Sequence, residues 1–290
     1  MVNNSLTQTK NQRLGLTDYL TKDAVKDQIN KVVGGKDGQR FISAIISATN
    51  TNAMLQECTN QSIVSGALLG ESLKLSPSPQ LGHYYLVPFN DKEKGKVAQF
   101  QLGYKGYIQL AIRSGQYKKL NVMAIKEGEL EYFDPLNEDI KVNLMVEQWD
   151  EREALPTIGY YAFFELVNGF RKAIYWSKAQ MEAHALKYSQ GYKRDKEKGW
   201  SYTFWSKDFD GMAYKTMLRQ LISKWGIMSI EMQTAYDGDM AVINDDGTRN
   251  YVETDENIID HEEPAPDDDT ENADPVTQEG SSVEAALFGN

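Results

Sequence analysis

The cations of this chain fall at spacings that suit phosphate groups. Lys105, Gln109 and Arg113 recur at i, i+4 and i+8, so on a helix they form one row of donors. Helix neighbours four apart lie about 6 Å from each other, a repeat that can follow the phosphates of an extended strand. Gly115 stands where a helix C-cap belongs, and Lys118 and Lys119 follow it. Tyr104 and Tyr107 share this stretch. Residues 99–122 hold three tyrosines and four Lys/Arg with no Asp or Glu, which makes the stretch a candidate for contact with an anionic polymer. The plainer alternative is an ordinary solvated helix face.

A second row lies in 206–225. Tyr214, Met217, Leu218, Leu221, Ile222 and Trp225 form a core stripe at helical spacing. The opposite face carries Met212, Lys215, Thr216, Arg219, Gln220 and Ser223, with Lys224 at its edge and no carboxylate. Lys207 and the rings Trp200, Tyr202, Phe204, Trp205 and Phe209 precede it. Most of these rings are expected in the core. Any left exposed could stack on bases, each worth roughly 1–3 kcal/mol. A third basic patch, "KYSQGYKRDKEKGW" (187–200), contains Lys187, Lys193 and Arg194. It reads either as a surface loop or as a mobile clamp over a bound strand.

Other chemistries find less support. No Gly-rich phosphate loop ends in Lys-Ser or Lys-Thr, so the sequence shows no engine for ATP-driven work. His83, His184, His261 and Cys58 lack metal-ligand spacing. Glu127, Glu129, Glu131, Asp134, Glu138 and Asp139 could supply a metal-dependent nuclease with ligands. Alternation along strands and solvation account for them more simply. No cofactor is expected, beyond a non-specific Mg2+ dependence of strand pairing.

The net charge of −11 conceals a division. Residues 231–290 hold 18 Asp/Glu against one basic residue, Arg249, whereas 1–230 hold 30 Lys/Arg against 24 Asp/Glu. A basic body joined to an acidic tail points to nucleic acid or another anionic surface as partner. The single cysteine excludes an internal disulfide and fits a reducing compartment. No apolar run reaches the roughly 18 residues that span a bilayer, and the polar N-terminus lacks the apolar core of a signal peptide. A cytoplasmic, membrane-free protein is the expectation.

The elements needed to position these residues are legible in outline. Residues 1–16 read as a flexible arm. Thr17 is placed to cap a helix to about Val33, with Leu20, Ala24, Ile29 and Val32 inward. Helices at about 39–49 and 59–69 carry the stripes Phe41, Ile42, Ile45, Ile46 and Ile63, Val64, Ala67, Leu68. "HYYLVPF" (83–89) and "KVAQFQL" (96–102) form a hairpin. A helix over about 103–114 precedes strands at 119–127, 129–133 and 139–144. Asn168-Gly169 joins two further strands. Ser177 and Gln180 make a capping box for a helix over about 178–190. The final helix spans about 206–225. Helices, then strands, then helices imply an α+β domain over 17–231. Residues 232–290 are acidic and poor in large apolar side chains, and read as disordered. They end in an apolar tip, "VEAALFGN", that could dock a partner, and the acidic run could also compete for a basic groove.

"LSPSPQLGHYYLVPF", "FQLGYKGYIQLAIRSG", "YAFFELVNGFRKAIYW" and "FWSKDFDGMAYKTMLRQLISKWG" together resemble the RecT family of phage and prophage single-strand DNA annealing proteins, across about 35–230. The proline that often follows the family's last helix is absent from "WGIMS" (225–229). The resemblance implies a small antiparallel β-sheet with a long crossing helix and additional N-terminal helices. It implies an annealing protein that makes no covalent change and needs no ATP. The working form would be a homo-oligomer, a ring or helical filament, on single-stranded DNA and the annealed duplex. A phage exonuclease and the host single-strand binding protein would be its partners in the bacterial cytoplasm. A passive single-strand binding protein and the nuclease remain the alternatives.

Overall fold

The computed structural model describes residues 15–34, 37–91, 94–244 and 246–251. The chain begins with five helices: α1 (Leu16–Leu20), α2 (Asp23–Val33), α3 (Gly38–Asn50), α4 (Ala53–Gln56) and α5 (Asn60–Ser72). The expected first helix is divided between α1 and α2 at Thr21-Lys22. Gly15, not Thr17, occupies the N-cap position. The division rotates α2, so that Val25 and Ile29 are buried while Ala24 and Val32 face solvent. In α3, Phe41 and Ile45 are buried and Ile42 and Ile46 pack on the same core. In α5, the Thr59 side chain accepts from the Ser62 N–H and caps the helix.

The hairpin β1 (Tyr84–Asp91) and β2 (Gly95–Leu102) comes next, in antiparallel register from Tyr84↔Leu102 to Asp91↔Gly95. It leads into α6 (Tyr104–Ser114), closed by Gly115 in the left-handed region at φ +67°, a conformation that glycine adopts without strain. Gly106 sits so close to the His83 carbonyl that any side chain would collide with it. The rest of the body is β3 (Tyr117–Lys126), β4 (Leu130–Asp134), β5 (Asp139–Val142), α7 (Trp149–Ala154), β6 (Thr157–Leu166), β7 (Arg171–Ser177), α8 (Lys178–Tyr188), α9 (Gln190–Lys198), α10 (Phe204–Lys207) and α11 (Phe209–Trp225). The Asn168-Gly169 turn and the Ser177/Gln180 capping box form as expected.

Two features depart from the expectations. The patch at 187–200 is not a loop. Most of it is α9, held by Asp195, which is buried and accepts from Tyr202 N, Thr203 N, Thr203 Oγ1 and Ser206 Oγ. The fold also continues past residue 231, through α12 (Ile230–Gly238), β8 (Ala241–Ile243) and β9 (Arg249–Tyr251). Met232, Ala235, Ala241, Val242 and Ile243 are all buried. The disordered reading therefore fails for 232–251. Residues 1–14 of the expected arm and 252–290 of the expected tail lie outside the described residues.

The architecture is α+β with antiparallel sheets. Among the described residues the strands form sheets of order β1-β2-β8-β9, β3-β6-β7 and β4-β5. Two large cores result. One gathers the N-terminal helices, β1, β2, α6, α12 and β8; the other lies between β3-β6-β7 and α8 to α11. Helix α11 belongs to both. Leu218 and Ile222 enter the first core, and Ala213, Met217 and Leu221 enter the second. This is the long crossing helix, and with two flanks committed to cores only a narrow third face remains. Trp225, expected in the stripe, is 37% exposed under Lys172 Nζ at 4.2 Å. No helix among the described residues is long and apolar enough to cross a membrane.

Candidate nucleic-acid interface

The third face of α11 forms one wall of a cleft of about 660 Å³. Met212, Lys215, Thr216, Arg219, Gln220 and Lys224 line that wall, and Lys207 of α10 extends it. The lining also includes Trp176 at the end of β7, His184 and Tyr188 of α8, and Tyr202 and Phe204 around α10. Trp176 and His184 have ring centroids 5.3 Å apart, and His184 and Tyr188 4.6 Å. Their order comes from sequence spacing: His184 and Tyr188 are helix neighbours at i, i+4, and Trp176 precedes the N-cap Ser177. Tyr188 and Tyr202 are 58% and 40% exposed. The lining thus combines positive charge with aromatic surface, the pairing that sequence-independent single-strand binding requires.

The floor of the cleft was not anticipated. Asp239, in the segment assigned to the tail, is 1% exposed. Its Oδ1 accepts from Lys215 Nζ at 2.9 Å and Leu102 N at 2.9 Å. Its Oδ2 accepts from Arg219 Nη1 at 2.6 Å and Tyr107 Oη at 3.4 Å. Arg219 also donates to Tyr107 Oη at 3.1 Å and lies over the Tyr236 ring at 4.0 Å. The carboxylate therefore ties β2, α6 and α11 to the loop after α12. Burial pushes the Lys215 ammonium below the usual lysine value, and Asp239 works against that shift. Lys215 and Thr216, expected on an outward face, are buried; Tyr107 is fully buried. Lys215 is thus a structural cation at the cleft floor. Arg219 and Lys224 are the more accessible ones.

The remaining expected contacts scatter. Lys105 is exposed on α6 beside Tyr104, whose ring meets Tyr214 edge-on at 5.6 Å. Gln109 is half-buried. Arg113 donates to the Leu73 carbonyl at the end of α5. Ile112, on the same helix, is exposed. Lys118 and Lys119 turn to β3, where they and Arg171 surround Glu165 at 2.7, 3.8 and 3.3 Å. Lys187 and Lys193 border a separate shallow depression between α8 and α9. Arg194 is half-buried on α9, and Ser223 half-buried on α11. None of these lines the cleft; Lys207, Met212, Lys215, Thr216, Arg219 and Lys224 do. Of the rings at 200–209, Trp205 is buried, Phe204 and Phe209 are half-buried, and Trp200 and Tyr202 are exposed.

Four of the acidic residues of 127–139 have partners of their own. Glu129 is buried against Arg152, Glu131 pairs with Lys141, Glu138 with Lys172, and Asp134 accepts from Asn137. Among the described residues, no group of three or more His, Cys, Asp or Glu is arranged to hold a metal ion.

Trp176, His184, Tyr188, Asp239 and Met240 are cleft residues that sequence reasoning does not single out. The spacing of His184 and Tyr188 was readable. For Asp239 the signal was "AVINDDGTRNY" (241–251), an apolar run and a second strand about an Asp-Gly turn, which argued that folded chain continued there.

Comparison with known proteins agrees with this picture. The RecT family pattern matches residues 39–263. The chain is 41% identical over 256 residues to a Bacillus subtilis (strain 168) protein described as uncharacterized protein YqaK, covering 87% of this chain and 81% of that one. It is 28% identical over 221 residues to Protein RecT of Escherichia coli (strain K12), covering 75% and 77%.

Proposed function

Because the chain belongs to the RecT family, whose work is single-strand annealing in DNA recombination, we propose that it performs that task without ATP by holding one strand in the cleft under α11. The observation that carries this is the cleft's mixed lining: the cations Lys207, Arg219 and Lys224 together with the rings Trp176, Tyr188 and Tyr202. Cations on phosphates fix a strand without reading its sequence. Rings beneath sugars and bases support it while Watson–Crick edges stay free. Two bare backbones repel, so pairing needs a first strand that is partly neutralised before the second arrives. The cations of α6 and β3, Lys105, Arg113, Lys118 and Lys119, lie outside the cleft and contribute to the field that attracts the second strand. Assembly as a ring or filament, work beside an exonuclease and the host single-strand binding protein, and a cytoplasmic setting complete the proposal.

An annealing-rate assay with complementary oligonucleotides, without nucleotide triphosphate, tests it. Faster pairing supports the proposal. Strand coating without faster pairing leaves a passive binding protein, and loss of a labelled strand with magnesium would identify a nuclease. Within the cleft, Lys224→Ala should lower the salt slope of single-strand binding by roughly 0.7, the counterion share of one phosphate contact, with circular dichroism unchanged. Tyr202→Ala should weaken binding by roughly 1–3 kcal/mol if one base stacks there. An unchanged slope and affinity would remove the cleft as the binding surface.

His184 supplies a second readout. Burial, and then Lys187, hold its imidazole below the usual value, so the free protein carries it neutral at pH 7. A phosphate in the cleft favours the protonated form and should raise its titration point. Strand binding then takes up protons, and affinity should increase as pH falls toward the lowered titration point of the free imidazole. Proton NMR of the His184 ring with and without oligo-dT checks the direction.

A further inference from the structure

The folded chain leaves the body beside the cleft. Tyr251, the last described residue, pairs with Ala241 across β8 and β9. The residue before Ala241 is Met240, which lines the cleft, and Asp239 forms its floor. Adjacent strands are about 5 Å apart, so the chain departs within roughly two residue lengths of the cleft's edge. Past Tyr251 the sequence runs through residues 252–290, with 13 Asp/Glu and no Lys or Arg. The described cleft lining has the opposite balance: Lys207, Lys215, Arg219 and Lys224 against one carboxylate, Asp239, which is already saturated by two cations. The densest acidic run, "EEPAPDDD" (262–269), begins 11 residues after Tyr251. Eleven residues reach at most about 40 Å, ample to bring the run back over the cleft.

We propose that residues 262–269 dock on the accessible cations of the cleft rim, chiefly Lys224 and Lys207, as an intramolecular stand-in for the phosphate backbone. This rests on the reading of the cleft as the strand-holding surface. A tethered run has an effective local concentration of the order of millimolar, so weak carboxylate–ammonium contacts suffice to occupy the rim until a strand displaces them. A short or weakly held strand loses that competition, and a long one with many phosphates wins it. The competing basic surface is the Lys118–Lys119–Arg171 cluster on β3 and β7, which is exposed and lies elsewhere on the molecule.

Zero-length carbodiimide coupling of the full-length protein, which joins a carboxylate to a lysine amine with loss of water, locates the contact directly. Linked peptides joining 262–269 to Lys224 or Lys207, lost on adding oligo-dT, are the expected result. Links to Lys118 or Lys119 only, or links unaffected by oligo-dT, overturn the proposal. A full-length variant with Glu262→Gln, Glu263→Gln, Asp267→Asn, Asp268→Asn and Asp269→Asn gives a second readout. At low salt it should bind oligo-dT about three- to tenfold more tightly than the parent, the range a weak tethered competitor produces. The gap should close near 1 M salt, where the screening length is about 3 Å, and should shrink when Lys224→Gln is present in both proteins. Equal affinities at low salt overturn the docking while leaving the annealing function intact. Failure of both proteins to bind oligo-dT instead brings down the cleft reading, and the docking with it.

Discussion

Asp239→Ala is expected to cost about 3–5 kcal/mol of folding stability, the range for removing one partner of a buried charge pair. Asp239 is 1% exposed and Lys215 8%. The substitution strips Lys215 and Arg219 of their common counter-charge and leaves Leu102 N without its acceptor. Asp239→Asn keeps the shape and one accepting oxygen yet should lose most of the same stability, because charge is what is missing. The variant should also show a stronger pH dependence than the parent. Burial already lowers the Lys215 pKa while Asp239 opposes the shift. Without Asp239 it falls further below the unfolded lysine value of about 10.4. The unfolded chain then binds more protons in that window, so the stability of the variant should rise with pH between neutrality and about pH 10. Urea denaturation followed by circular dichroism at pH 7 and pH 9.5 measures both. A loss below about 1 kcal/mol at pH 7 would show that the cleft floor does not depend on this ion triad.

Arg152→Ala should be equally severe, at about 3–5 kcal/mol, and for a related reason. Arg152 and Glu129 form a two-pronged pair, Nε to Oε1 at 2.6 Å and Nη2 to Oε2 at 3.0 Å. Arg152 also donates to the Ala124 carbonyl, while Lys126 N and Met145 N donate to Glu129. Trp149 covers the guanidinium at 4.8 Å. The pair therefore closes the segment from β3 through β4 and β5 to α7 onto the edge of the sheet. Arg152→Lys should rescue little, because one ammonium cannot reproduce a planar fork. Burial pushes the Glu129 carboxyl up, but Arg152 and the two N–H donors outweigh it and hold the pKa below the usual value. In the parent, this contribution is present above about pH 4.5 and fades as pH falls below it. In Arg152→Ala only burial and the two N–H donors act, so the Glu129 pKa should rise above its unfolded value. The difference between parent and variant should therefore widen as pH rises from about 4 to 7 and narrow on acidification. A pH-independent difference would contradict this account.

These two carboxylates show where sequence reading stopped. Glu129 was visible as one of several acids with strand-like alternation, and solvation was its simplest explanation. In the fold, it alone of that group is fully buried, because Arg152, 23 residues later, returns to meet it. Asp239 was absorbed into an acidic tail by composition alone. Averaged over 231–290, the 18 acids outweighed the short apolar run "AVI" and the Asp-Gly turn, although three buried residues pairing with β2 and β9 suffice to anchor that segment. Trp225 shows the same limit from the apolar side. It satisfied the helical stripe, yet it lies at the end of α11, beyond both cores, and serves as a surface for Lys172.

The sequence by itself determined the elements whose causes are local. The stripes of α3 and α5, the β1-β2 hairpin, the Gly115 cap, the Asn168-Gly169 turn and the Ser177 capping box depend on residues within a few positions of one another, and all formed. The α+β class came from their order, and the family resemblance from four residue motifs. Which faces are dry was decided by tertiary structure alone. Helix α11 carries one visible apolar stripe, but it is gripped by two cores, and the space left for its basic face is narrow enough to bury Lys215. Whether a cation there is a ligand-binding group or a structural one depends on the field of groups distant in sequence. Leu102, Tyr107 and Asp239 converge on Lys215 and Arg219 from 20 to more than 100 residues away, and no periodicity within a helix records that convergence.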